Sequence, residues 1–161
     1  MNYRVYTDGS CVTSSKKGGY GVVVLNEKNS VVYEKSVAYS NTTNNRMELS
    51  ALLDAFKYVN SNLTSDDCVE FFTDSAYISN CFEQKWYKTW LANGWRTANR
   101  LKVKNTDLWK AILHEFRIFK MPITIAKVKS HTGDTWNEYA DGLANNWRYI
   151  EDEKDFIVDQ D

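Results

Sequence analysis

The stretch Thr42-Thr-Asn-Asn-Arg-Met-Glu-Leu-Ser-Ala-Leu-Leu-Asp-Ala-Phe-Lys-Tyr-Val59 is where the chain changes its hydrophobic period. Leu49, Leu52, Leu53, Phe56 and Val59 fall at helical spacing behind Asn44-Asn45, and Ser61-Asn62 closes the segment. An amphipathic helix is therefore expected here. The residues before it read as strands instead. Tyr3 to Thr7 alternates, Gly19 to Asn26 carries Val22, Val23 and Val24, and Val31 to Tyr39 is a further β-branched run after Asn26-Glu-Lys-Asn29. Three consecutive strands with short links predict an antiparallel meander.

Beyond the helix, Cys68 to Thr73 reads as a short apolar strand, followed by a helix from about Ala76 and a tryptophan-rich helix and loop. Trp109, Ile112, Leu113 and Phe116 share one face of a further helix, which Met121-Pro122 stops. Ile123 to Lys129 is the fifth strand, and Trp136 to about Ile150 the last helix, with Ala140, Leu143, Ala144 and Trp147 facing inward. The class is α/β, with no internal repeat. If strands one and four are parallel neighbours, Asp8 and Asp74 at their exits emerge at one carboxyl edge of the sheet. Glu48 then projects from the first turn of the first helix.

At 161 residues, with 43% apolar and 14% aromatic content, the chain has material for one core and not for two ordinary domains. A domain over 1–150 with an acidic tail over 151–161 is expected. No stretch has signal-peptide character or the apolar length to cross a bilayer, which predicts a cytoplasmic protein with no membrane partner. Cys11, Cys68 and Cys81 form no metal-binding or disulfide pattern. The formal charge of −1 excludes binding nucleic acid with the whole surface, but charge is unevenly placed. Lys85, Lys88, Arg96, Arg100, Lys102 and Lys104 lie in a segment without an acid, interleaved with Trp86, Tyr87, Trp90 and Trp95. From Glu151 onward, six acids face only Lys154.

Four acids stand in distinct settings: Asp8 in Tyr-Thr-Asp-Gly-Ser, Glu48 in Asn-Asn-Arg-Met-Glu-Leu, Asp74 in Thr-Asp-Ser and Asp141 in Asn-Glu-Tyr-Ala-Asp. Carboxylates are hard ligands suited to magnesium or manganese, and several converging from distant segments suit a site that clamps a phosphodiester. Each also has a structural reading. Asp8-Gly-Ser suits a turn. Asn45-x-x-Glu48 and Thr135-x-x-Glu138 resemble capping boxes, and Asp74-Ser75 can cap the next helix. Asp141 lies beside an apolar stripe, where an unpaired charge is costly.

Taken in order, Tyr6-Thr-Asp-Gly-Ser-Cys11, Gly18-Gly-Tyr-Gly21, Thr42 to Leu49, Thr73-Asp-Ser75, Gly94-Trp-Arg-Thr-Ala98, Val103-Lys-Asn-Thr-Asp-Leu-Trp109 and Val128-Lys-Ser-His131 with Asn137, Glu138 and Asp141 resemble bacterial type-one ribonuclease H. The resemblance implies a ribonuclease H-like five-stranded mixed sheet of order 3-2-1-4-5 flanked by helices. It implies cleavage of the RNA strand of RNA–DNA hybrids, leaving 5′-phosphate and 3′-hydroxyl ends. Asp8, Glu48, Asp74 and Asp141 match the family's ligands for two Mg2+ ions, for which Mn2+ can substitute. His131 matches the catalytic histidine of the loop after strand five, suited to proton transfer or product release. Cys11, Asn44 and Asn45 match minor-groove positions, Asn137 a substrate-side position, and Thr43 a holder of a DNA-strand phosphate. Trp86, Lys88, Trp90, Trp95 and Arg96 belong to the segment resembling the basic handle, although the i, i+4 pair Trp86 and Trp90 also suits packing.

The chain departs from the family at Val12-Thr-Ser-Ser-Lys-Lys17, at Ala76 where a glutamine is common, and at Leu91-Ala92-Asn93 where the family often has a cluster of basic residues. Weaker and more salt-sensitive hybrid binding is the expectation. A free-standing monomer is expected, with strand one starting the chain and the tail as a solvated end, or alternatively with Phe156-Ile157-Val158 docked as a short strand or binding a partner. Rival functions are a non-catalytic hybrid- or RNA-binding module and a strand-transfer enzyme of integrase type on the same fold.

Overall fold

The computed structural model describes residues 1–97, 99–128 and 134–160. Strands β1 (Asn2–Val12), β2 (Lys17–Leu25) and β3 (Val31–Ser40) form the antiparallel meander. Helix α1 (Asn44–Asn62) then leads into β4 (Cys68–Thr73), which lies parallel to β1 on its other side. Helices α2 (Ala76–Glu83), α3 (Trp86–Ala92) and α4 (Thr106–Arg117) precede β5 (Ile123–Lys127), parallel to β4. Helix α5 (Thr135–Ala144) and a 3-10 turn (Asn146–Tyr149) follow. The expected last helix to Ile150 thus breaks at Asn145 into a tighter turn.

The sheet has six strands rather than five, in the order β5-β4-β1-β2-β3-β6. The sixth, β6 (Ile157–Val158), comes from the acidic tail and pairs in parallel with Tyr39 and Ser40. The reading of the tail as a solvated end is corrected, and its docked alternative stands. Phe156 buries itself against Ala38 and Trp147, and this apolar anchor outweighs the solvation of the surrounding acids.

Period-two alternation divides the core between the faces of the sheet. Val5, Val22 and Val24 point toward Leu49, Leu52, Phe56 and Val59 of α1, and Trp109 and Ile112 of α4 complete that layer. Tyr6, Val23 and Leu25 point the other way, against Ala140 of α5. The site therefore forms where α1, from one face, and α5, from the other, meet the carboxyl edge of β1 and β4. Among the described residues, no helix is long and apolar enough to cross a membrane.

Candidate active site

Asp8 is not at the exit of β1, since the strand runs on to Val12 beside β2. Pairing of β1 with β4 stops at Tyr6 and Phe72, so Asp8 lies just past the point where the two parallel strands part. Asp74 follows the last residue of β4 directly. Parting strands leave room for a ligand between their ends, and both carboxylates enter it.

Gly9 explains how Glu48 joins them. A Cβ at this position would lie 2.3 Å from the backbone nitrogen of Glu48 and 2.5 Å from the carbonyl carbon of Met47, both backbone atoms that cannot yield. The glycine of Asp-Gly-Ser thus serves the close seating of α1 on β1, not a turn. Its N–H donates to Asp8 Oδ1 at 2.9 Å and to Glu48 Oε1 at 2.6 Å. The capping-box reading of Asn45-x-x-Glu48 fails for the same reason: Thr43 is the N-cap, its hydroxyl accepting from Arg46 N at 3.2 Å, and Glu48 reaches the sheet instead. Likewise Asp134, not Thr135, caps α5 by accepting from Trp136 N and Asn137 N. Ser75 caps α2 through Ile78 N, as its position suggested.

Carboxylate oxygens of Asp8, Glu48 and Asp74 all lie within 4.8 Å of one another. Asp8 and Glu48 are each only 4% exposed. Burial first, then the charge of Glu48, holds Asp8 well above the ordinary carboxylate range. Burial also raises Glu48, with the hydrogen bond to Asp8 and the Gly9 N–H acting the other way and the Asp74 charge adding to the rise. Glu48 Oε2 is buried with no hydrogen-bond partner among the described residues. Such an arrangement is unfavourable by itself and is relieved by a cation. The donor set and the orphaned oxygen therefore fit a hard divalent metal.

Asp141 lines the same cavity of about 580 Å³ with Cys11, Asn44, Asn45, Ala76, Asn145 and Arg148. Its exposure corrects the inference of a charge held against the apolar stripe. The helix turns its small residues, Ala140 and Ala144, to the sheet, and Asp141 to the open cleft. Gly21, the β2 residue paired with Asp8, allows this approach: a Cβ there would meet Leu143 Cβ at 2.5 Å and Ala140 O at 2.6 Å. Asn137 is half-buried one turn earlier on α5 and is not among the residues lining the cavity. His131 lies outside the described residues.

Asn44 and Asn45 also border a second cavity, of about 880 Å³, lined by Thr43, Arg46, Lys102, Lys104, Asn105 and Gln160. Asn44 and Asn45 thus border both the carboxylate cavity and one lined by Lys102 and Lys104 of the basic segment. All six basic side chains of that segment are exposed, and Arg96 and Lys102 are bridged across a short hairpin. Trp90 is 8% exposed and packs on Trp109 at 5.3 Å between ring centres, with Trp95 and Trp86 at 6.1 and 6.4 Å. Of the tryptophans expected to meet substrate, Trp90 is thus a packing residue that roots the handle in the core, while Trp86 and Trp95 stay half-exposed. Lys88 is exposed on α3.

Sequence reasoning missed Asn145, Arg148 and Asp159. Asn145 stands one helical turn after Asp141, a spacing that could have drawn notice; it accepts from Ser10 Oγ at 2.7 Å and donates to Asp141 Oδ1 at 3.3 Å. Asp159 carried no local signal, because its partners lie far away in sequence.

The ribonuclease H family model matches residues 1–148. The chain is 41% identical over 142 residues to the Ribonuclease H of Pseudoalteromonas atlantica, covering 88% of this chain and 87% of that protein. It is 37% identical over 144 residues to the Ribonuclease H of Syntrophomonas wolfei subsp. wolfei, covering 88% and 92%. The fold is also that of LC11-RNase H1, solved in complex with RNA/DNA hybrid, with a TM-score of 0.66 and 24% identity over 89% of this chain and 94% of that one. An acidic cluster assembled from β1, α1 and β4 at the carboxyl edge of this sheet, with matches spanning most of the chain, means that the protein belongs to the ribonuclease H family.

Proposed function

We propose that this ribonuclease H hydrolyses the RNA strand of RNA–DNA hybrids at the cavity of Asp8, Glu48, Asp74 and Asp141, leaving 5′-phosphate and 3′-hydroxyl ends. The observation that carries the reading is the convergence of three carboxylates from three elements within 4.8 Å, with a fourth lining the same cavity. Asp8, Glu48, Asp74 and Asp141 would hold two Mg2+ ions, with Mn2+ able to substitute. Bound there, such ions supply an activated water and stabilise the leaving oxygen.

The chain's own residues do the rest. Gly9 N–H fixes the two buried carboxylates in one orientation, so that little reorganisation accompanies charge development. Cys11, Asn44 and Asn45 line the cleft and would meet the minor groove, where 2′-hydroxyls mark the RNA strand. Thr43 accepts from Arg46 N, which leaves its own hydroxyl proton to donate to a DNA-strand phosphate. Lys88 and Arg96, with Trp86 and Trp95, hold the duplex beyond it, and Asn137 supports the α5 side. His131 moves a proton or frees the product. We place the protein in the cytoplasm as a monomer.

End-labelled RNA–DNA hybrid, RNA–RNA, DNA–DNA and single strands, incubated with magnesium or chelator, test the reading in the wild type and Asp8→Asn. Cleavage confined to the hybrid's RNA strand, to the wild type and to metal is the expected result. A wild type that binds the hybrid and leaves it whole in magnesium and in manganese would place the chain among non-catalytic binding modules.

A further inference from the structure

Five charged side chains are among the described residues lining the carboxylate cavity: four acids, and Arg148 as the single cation. It makes no ion pair with any of those acids among the described residues. Its Nε donates to Asn145 Oδ1 at 3.0 Å, and its guanidinium carbon stands 4.5 Å from the ring centre of Trp147, which is buried. These two contacts orient the group while leaving it exposed on the 3-10 turn. Both amino ends of the guanidinium are without a hydrogen bond among the described residues, which leaves the forked pair of donors that matches a phosphate.

We propose that Arg148, braced by Asn145 and Trp147, binds a phosphate of the RNA strand beside the cleaved bond, and that Asn145 couples this contact to Asp141. The inference rests on the hybrid-cleaving reading above: the phosphodiester to be cut must enter the cavity of the four acids, so a cation lining that cavity flanks the cut strand. Asn145 has the geometry for the coupling. Its Oδ1 receives both Ser10 Oγ at 2.7 Å and Arg148 Nε, while its Nδ2 donates to Asp141 O at 2.9 Å and Oδ1 at 3.3 Å. One carboxamide thus ties β1, the carboxylate of α5 and the guanidinium. Asn145 is a positioning residue here, and Arg148 touches substrate. Ala76 lines the same cavity and offers no hydrogen-bonding side chain there, so the guanidinium adds grip that this position does not give.

The test is hybrid binding in chelator over a sodium chloride series, beside cleavage kinetics in magnesium, for the wild type, Arg148→Ala, Arg148→Lys and Asn145→Ala. Lys28→Ala, in the turn after β2, is the control for loss of a remote charge. Removing one phosphate contact should reduce the steepness of the salt dependence by about one unit, which the remote control should not do. KM for Arg148→Ala should rise roughly fivefold with kcat changed less than about twofold, since the contact is uniform binding. Arg148→Lys should fall between, keeping the charge and losing the fork. Asn145→Ala should lower kcat and move the magnesium midpoint upward, because Asp141 loses its donor.

Wild-type salt dependence and KM in Arg148→Ala would overturn the phosphate contact. An unchanged magnesium midpoint in Asn145→Ala would overturn the coupling. Should Arg148→Ala fail to fold, Arg148→Lys with wild-type KM overturns the contact by itself. A wild type that does not cut hybrid defeats the nuclease reading, and the salt series in chelator still decides whether Arg148 meets a phosphate.

Discussion

Asp159, near the carboxyl end, receives the guanidinium of Arg46 through both carboxylate oxygens, each at 3.0 Å, from Nε and from Nη2. The two residues are 113 positions apart. Both are shielded, with side chains 6% and 9% exposed for Arg46 and Asp159. Thr42 Oγ1 donates to the same aspartate at 2.6 Å, and Arg46 also grips Asp107 at the start of α4 through two bonds of 3.0 and 2.8 Å. The tail is thereby locked to the segment that leads into Asn44, Asn45 and Glu48.

Asp159→Ala should destabilise the fold by about 2–3 kcal/mol, because a buried guanidinium loses one of its two carboxylates and retains the other. Burial would raise the Asp159 carboxyl, yet hydrogen bonds from Arg46 and Thr42 hold it below the ordinary range. A depressed carboxylate contributes stability above its unfolded value, near ~3.9, and loses it as pH falls through its lower folded value. Urea melts should therefore show a steeper loss below about pH 4 in the wild type than in Asp159→Asn. Equal acid limbs for the two proteins would refute the lock.

Asp8→Asn should melt at a higher temperature than the wild type in chelator at neutral pH. The Asp8 carboxyl is raised by burial and by Glu48, so the folded state holds a proton that the unfolded chain releases above about 3.9. Stability then falls as pH rises from that value toward the folded one, and the asparagine removes that falling limb. Magnesium should stabilise the wild type by mass action and the variant less. Calorimetry with and without metal across pH 4 to 8 checks it; a variant less stable than the wild type in chelator counts against a strained apo cluster.

Gly21→Ala should cost about 1–3 kcal/mol, as overpacking does, and reduce kcat more than it raises KM. Its Cβ would press on Ala140 O and Leu143 Cβ, shifting α5 and with it Asp141. Displacements near 1 Å in a reacting constellation can cost about 100-fold in rate. Single-turnover cleavage and thermal melts read the two effects separately, and a fully active Gly21→Ala would show that the helix seat is not critical.

Trp90→Ala and Lys88→Ala should part company. The first removes a buried indole packed on Trp109 and should cost about 3–5 kcal/mol. The second removes an exposed charge and should leave stability within about 0.5 kcal/mol while weakening hybrid binding at low salt. Denaturation curves paired with binding isotherms distinguish them; a stable Trp90→Ala with impaired binding would return that indole to the substrate surface.

By itself the sequence determined the α/β class, the meander, the helix of Leu49, Leu52, Phe56 and Val59, and the identity of the four acids. These rest on period and on local residue chemistry, which neighbours along the chain encode. Only the tertiary structure decided why Gly9 is glycine, that Glu48 reaches the sheet rather than its own helix end, and that Asp141 faces the cleft. The same holds for β6, Asp159 and Arg148. A two-residue strand has too little pattern to stand out, and an acid amid acids reads as solvated until a buried arginine from a distant helix is seen to meet it. Contacts made across more than a hundred positions depend on close packing of separate elements, and no local period records that geometry.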